Sequence, residues 1–240
     1  MALDLVHDVH GAYRLLVRAT AFPGTVVDLQ PIVEKTDLDL GVPPIILLLG
    51  LIVLDGEVSF SIAGNPKAAV ALSEITGAAL SHTVAEAPFS FVAGAGTSTT
   101  EVLAAAPIGT LEDPQLGATV FIETAGLVQA EGPRAAERLR EVGGPPAEAP
   151  GRAIPAEARH TQARNNRATA EHAGPLLALS GPGIQAECLL RVDRDASWIE
   201  ERQQKNSEYP LGIDVFLFDP AGRVAAIPRT TRVEVLSWAT

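Results

Sequence analysis

Hydrophobic and polar positions follow two rhythms along this chain, one of helical period and one of strict alternation, and each change of rhythm marks an element. From Val9 to Thr20, the residues His10, Tyr13, Leu16 and Val17 recur at helical spacing, with Arg14 and Arg18 an i,i+4 pair on another face. Phe22-Pro23-Gly24 stops that helix with proline and glycine placed as a type II turn requires. Thr25 to Leu29 reads as a short strand. Pro43 and Pro44 stand where a helix begins, ahead of the apolar run Ile45 to Leu54. Asp55-Gly56 ends that run before a strand at Glu57 to Ile62. Pro66 to Leu80 reads as a further helix.

Phe89 to Val92 has the pattern of a strand, and Gly94-Ala95-Gly96 leads from it into Ser98-Thr99-Thr100-Glu101, a capping box for a helix reaching Ala106. Ala118 to Thr124 is a strong strand signal. The pattern then disappears. From Glu131 to Gly174 there are no aromatic residues and few large aliphatic ones, and seven arginines are nearly balanced by six glutamates. Such a composition buries too little apolar surface to offset the entropy of ordering it. We expect a disordered insertion at 131–174, with a transient helix at Arg134 to Val142, inside a single domain spanning 1–240. Its balanced charge fits a solvated linker better than a binding arm. Structure resumes at Leu176 to Leu179, before the turn Ser180-Gly181-Pro182-Gly183.

The most constrained stretch is Pro210 to Val235. Ile213, Val215 and Leu217 alternate with Asp214, Phe216 and Phe218, and Asp219-Pro220-Ala221-Gly222 places proline second and glycine fourth in a turn. This predicts a hairpin with Arg223 to Ile227 as the return strand, apolar on both faces and therefore inside a sheet. Pro228 ends the ladder. Arg229-Thr230-Thr231-Arg232 then offers two guanidinium groups and two hydroxyls. One reading is an anion or carboxylate clamp. The other is a structural turn whose arginines pair with the chain's own acids or with a partner subunit. We expect a partner-facing, fold-closing module in which Arg229 and Arg232 meet acids of a second copy or of a neighbouring subunit.

Composition narrows the function classes. At 240 residues with 47% hydrophobic content, the chain can bury a full-sized core, and its few aromatics make that core aliphatic. A net charge of −11 opposes nonspecific binding to DNA or RNA, which requires concentrated basic surface. The single cysteine, Cys188, rules out an internal disulfide and points to a reducing compartment. The N-terminus carries acids and histidines where a signal peptide has a basic start and an apolar centre. Ile45 to Leu54 falls far short of the ~20 residues that span a bilayer.

Candidate chemistry is sparse. Gly94-x-Gly96 between strand and helix invites a phosphate-loop reading, but the third glycine of the dinucleotide motif is missing, and the spacing fits an ordinary βα turn. His7 and His10, with Asp4 and Asp8, form a thin metal pattern against the simpler reading of a solvated helix start. Cys188 lies among apolar residues as an inert, semi-buried thiol. Lys35, Lys67 and Lys205 all occur in polar or helix-start contexts, unlike the desolvated lysine of a pyridoxal Schiff base. We assign no catalytic residue, no metal and no cofactor.

The module PLGID, a hairpin and AIPRTTRVEV resembles the C-terminal signature of the PhnH family, a subunit of the carbon–phosphorus lyase system for phosphonate breakdown. Three further pieces agree in order: Tyr13-Arg14-Leu15-Leu16 with Pro23-Gly24, then Gly109-Thr110 through Pro114 with Gly117-Ala118-Thr119, then Leu179-Ser180-Gly181-Pro182-Gly183-Ile184. The resemblance covers about Val9 to Val235, and the segment 131–174 departs from it. It implies an α/β fold with a mixed central sheet flanked by helices, similar to the pyridoxal-phosphate-dependent transferases without the cofactor. It also implies a cytoplasmic homodimer within a complex with PhnG, PhnI and PhnJ, acting with PhnL. That complex replaces the adenine of ATP by a phosphonate. Two roles follow for this chain: a noncatalytic subunit that orders the complex, or an enzyme domain with its own phosphate, phosphonate or nucleotide site.

Overall fold

Seven strands form one mixed sheet, in the order Val27–Asp28 (β1), Arg223–Ile227 (β10), Asp214–Phe218 (β9), Thr119–Glu123 (β5), Phe89–Val92 (β4), Ser59–Ala63 (β2) and Ala79–Leu80 (β3), and four more form a second, antiparallel sheet, in the order Arg232–Leu236 (β11), Leu176–Ser180 (β7), Cys188–Val192 (β8) and Leu127–Ala130 (β6). This arrangement comes from a computed structural model, which describes residues 3–36, 38–94, 96–130 and 174–236. The insertion expected at 131–174 lies almost wholly outside the described residues.

The first sheet comprises β1 (Val27–Asp28), β2 (Ser59–Ala63), β3 (Ala79–Leu80), β4 (Phe89–Val92), β5 (Thr119–Glu123), β9 (Asp214–Phe218) and β10 (Arg223–Ile227). All of its strands run parallel except β10, which is antiparallel to both neighbours. The hairpin read from Ile213 to Ile227 is therefore real, and it sits inside the sheet. Gly222 closes its turn by donating its N–H to the Asp219 carbonyl at 3.0 Å. The second sheet comprises β6 (Leu127–Ala130), β7 (Leu176–Ser180), β8 (Cys188–Val192) and β11 (Arg232–Leu236). The helices are α1 (His7–Ala21), α2 (Gln30–Val33), α3 (Pro44–Val53), α4 (Pro66–Thr76), α5 (Thr99–Ala105) and α6 (Ser197–Lys205).

Alternation along the central strands builds two cores. One face carries Phe60, Phe91 and Phe121, which pack with Leu16 of α1, Ile45 and Leu48 of α3 and Leu72 of α4. Phe91, Phe121 and Phe216 stack across three adjacent strands with centroid spacings of 4.7 and 5.1 Å, and Phe60 meets Phe91 edge-on. Such pairs add to the burial of each ring. The opposite face carries Val120, Ile122, Val215, Leu217 and Ile227, and packs against α5, α6 and the second sheet.

Two helix expectations need correction. The helix that begins at Pro66 ends at Thr76, not Leu80, because Gly77 adopts a left-handed φ of 76° and donates its N–H to the Ser73 carbonyl. Ala79 and Leu80 then form an edge strand. In α1 the buried stripe is Ala12, Leu16 and Ala19, while Tyr13 and Val17 are half exposed. Small side chains let the helix lie close to β10 and α3, which a pattern based on large apolar residues does not register. Ile45–Gly50 of α3 is buried as expected, and among the described residues no helix is long and apolar enough to cross a membrane.

Candidate functional site

The arginine-rich segment after β10 is where the sequence concentrated its candidate chemistry, and its four residues have different fates. Arg229 donates from its backbone N–H to Asp214 Oδ1 at 2.7 Å and from Nε and Nη2 to Oδ2 at 3.2 and 2.7 Å. Its Nη1 reaches the carbonyls of Pro114 and Pro210 at 2.9 and 3.3 Å. The acid that meets Arg229 thus belongs to its own chain, at the first residue of β9, and not to a second copy or a neighbour as we expected. Proximity makes the difference: Asp214 lies across the mouth of the same hairpin. Gly117 is required beneath this knot, since a Cβ there would lie 2.2 Å from the Gly212 carbonyl and 2.9 Å from Arg229 Nη1.

Thr230 and Arg232 are exposed and Thr231 is buried. All three face a groove of about 610 Å³ between α6 and the β11 edge. The floor of that groove holds a residue that sequence reading missed. Arg202, only 2% exposed, donates from Nη2 to the carbonyls of Pro228 and Thr231 at 2.6 and 3.1 Å, and more distantly to Ile227. Burial pushes its guanidinium down to about 10, opposed only by the charge of Asp214. Its Nε has no partner, and neither does the buried Thr231 hydroxyl. The available signal was Trp198, which stands one helical turn earlier and is buried on the same face of α6.

A second pocket, of about 480 Å³, opens at the carboxyl ends of β4 and β5, where parallel sheets place ligands. It contains the Gly94-x-Gly96 segment. Gly94 is left-handed at φ 83°, and its N–H donates to Glu123 Oε2 at 2.7 Å, so the chain's own carboxylate takes the position a phosphate would occupy. Arg194 reaches in from beyond β8 and donates to the carbonyls of Glu123 and Thr97 and to the Thr99 hydroxyl. Burial lowers its pKa, while Asp195 and Glu123 act to raise it. Ser98 accepts the Glu101 N–H at 3.3 Å, the half of the capping box that starts α5. These contacts are those of a self-closed βα turn.

The remaining candidates are occupied by local structure. Asp4 caps α1 by accepting the N–H groups of Val6 and His7, which hold its carboxyl below the usual range. Asp8 pairs with Lys35 at 2.6 Å. Among the described residues no cluster of three His, Cys, Asp or Glu side chains is placed to hold a metal. Lys67 is exposed, and Lys205 donates to the Ala106 carbonyl at 3.0 Å. Cys188 is half buried, and desolvation raises its thiol to about 11.

The sequence pieces that carry the family resemblance meet in pairs. Gly24 lies against Leu179, and a Cβ on Gly183 would press on the Ala21 carbonyl and Pro23. The Gly109–Gly117 loop meets Arg229 and Gly212, whose N–H donates to the Ile108 carbonyl at 2.9 Å. Two contact knots therefore account for all four motifs. Comparison with known proteins agrees: the family model described as bacterial phosphonate metabolism protein (PhnH) matches residues 2–234. HtxG of Stutzerimonas stutzeri, provisionally named a C-P lyase subunit protein, is 43% identical over 63 residues, 26% of this chain. The matched stretch spans about a third (32%) of that relative's length.

Proposed function

Because the chain belongs to the PhnH family of bacterial phosphonate metabolism proteins, we propose that it is an accessory subunit of a carbon–phosphorus lyase complex. In this reading it supports transfer of an alkylphosphonate to the ribose of ATP with release of adenine, and leaves the chemistry to other subunits. It acts as one PhnH-like unit over 1–240, a cytoplasmic homodimer whose partners are PhnG, PhnI and PhnJ, with PhnL acting alongside.

The observation that carries the noncatalytic role is the closure of the Arg229 knot. Arg229, a candidate donor for an anion, is instead committed to locking β9, β10 and the 114 loop together beside Thr230 and Arg232. The same reading takes the fold as similar to pyridoxal-phosphate-dependent transferases without the cofactor. Its supports are a seven-stranded sheet with a single reversed strand and the commitment of Lys35 and Lys205 to Asp8 and a backbone carbonyl.

The test is co-expression of the tagged chain with the PhnG, PhnI and PhnJ counterparts of its own genome, followed by affinity purification and light scattering. Stoichiometric recovery of the partners is the expected result. Recovery of this chain alone, at concentrations where the other three assemble, would refute the assignment. A second reading, a phosphate or nucleotide site on this chain, is favoured specifically by Arg202.

A further inference from the structure

We infer that the groove between α6 and β11 is an oxyanion site that takes a phosphate-class group between Arg202 and Arg232. Buried charges in proteins are ordinarily paired, because desolvation of an isolated ion is costly. Arg202 breaks that rule among the described residues. It is almost wholly buried, its contacts are carbonyl oxygens, and the nearest acid that influences it, Asp214, is already bound on both oxygens by Arg229. Three carbonyls hold Nη2 in place but supply no counter-charge.

The free donors indicate the shape of the missing ligand. Both edges by which a guanidinium grips a planar carboxylate include Nη2, and here Nη2 is committed to backbone. That leaves the one N–H of Nε and the two of Nη1, which point to different sides of the guanidinium. The Thr231 hydroxyl, buried and unpartnered, lies on the same wall, with the exposed Thr230 hydroxyl and the Arg232 guanidinium at the rim. Donors arriving singly from several directions suit a tetrahedral oxyanion, which accepts on every face. Glu234 also lines the groove and is its one uncommitted acid, so the lining still carries a net positive charge from Arg202 and Arg232.

This inference stands apart from the assembly role and is tested on the full chain alone. Calorimetric titration with inorganic phosphate should give saturable binding. Arg232→Gln, an exposed change that leaves the fold intact, should weaken it about tenfold, the effect of one lost charge-assisted contact. Glu234→Gln should tighten it. Arg202→Lys should abolish it, and Arg232→Gln decides the matter if that buried variant does not fold. Competition with methylphosphonate and with ATP then identifies the source: displacement by ATP at lower concentration assigns a nucleotide phosphate chain, and displacement by methylphosphonate alone assigns a small oxyanion. Absence of phosphate binding to the wild type, or equal binding by Arg232→Gln, overturns the site.

Discussion

Arg229 and Asp214 are joined twice, once through the backbone N–H of the arginine to Oδ1 and once through its guanidinium to Oδ2, both at 2.7 Å. One carboxylate thereby fixes the direction in which the chain leaves β10 and the position of the side chain that follows. The two side chains are 15% and 29% exposed, so the pair is shielded but not dry.

Arg229→Ala removes this double tie and leaves the Pro114 and Pro210 carbonyls without their donor. We expect a loss of about 2 to 4 kcal/mol in urea unfolding, below the full cost of breaking a dry ion pair because of the residual exposure. Arg229→Lys should recover only part of it, since an ammonium cannot reproduce the planar fork. A variant as stable as the wild type that nonetheless failed to bind phosphate would make Arg229 a ligand residue and not a structural tie.

Cys188 gives a prediction in pH. Burial raises its thiol from 9.0 to about 11, so the folded state holds the proton where the unfolded chain releases it. For an acid shifted upward, the associated stability is complete below pH 9 and declines as pH rises from 9 toward 11. At pH 8 the thiolate fraction should be about a hundredfold below that of an unperturbed thiol, with disulfide-reagent labelling slowed in proportion. Labelling at the rate of a free peptide thiol would show that the site is open. Cys188→Ala should remove its share of the alkaline part of the stability profile.

The Gly94 turn is predicted to depend on Glu123. Glu123→Ala removes the acceptor of the Gly94 N–H and should cost about 0.5 to 1.5 kcal/mol, since water can take its place at this exposed turn. It should not create phosphate binding at Gly94, because Arg194 is held by the Thr97 and Thr99 oxygens. Phosphate binding gained in this variant, seen by the same calorimetry, would mean that Glu123 acts as a built-in plug over a working anion loop.

What could be read in advance was whatever nearest neighbours determine. The hairpin from Ile213 to Ile227, the Pro-initiated helix at Pro44 and the Ser98 cap each follow from residues within a few positions of one another, and each is present. The second sheet was less legible because β6 and β11 pair only with strands far along the chain, Leu127 with Val192 and Val233 with Leu179. Arg202 was hidden for a different reason. In SWIEERQQK it looks like one more solvated charge, and only the tertiary approach of Pro228 and Thr231 buries it. Arg229 to Arg232 was singled out as one candidate segment, and its internal division of labour depends on Asp214, which pattern alone assigns to a strand.

The contacts of α6 with β11 also bear on how this protein can grow into an assembly. β11 is the outermost strand of its sheet, and on its open side Arg202 takes the Thr231 carbonyl and Gln203 takes the Val233 carbonyl at 2.9 Å. A strand edge on which side chains already hold the Val233 carbonyl, and the Thr231 carbonyl just before it, is a poorer template for an incoming strand. Along the capped part of that edge a neighbouring chain docks by shape and charge, which favours discrete, reversible contacts over open-ended sheet extension.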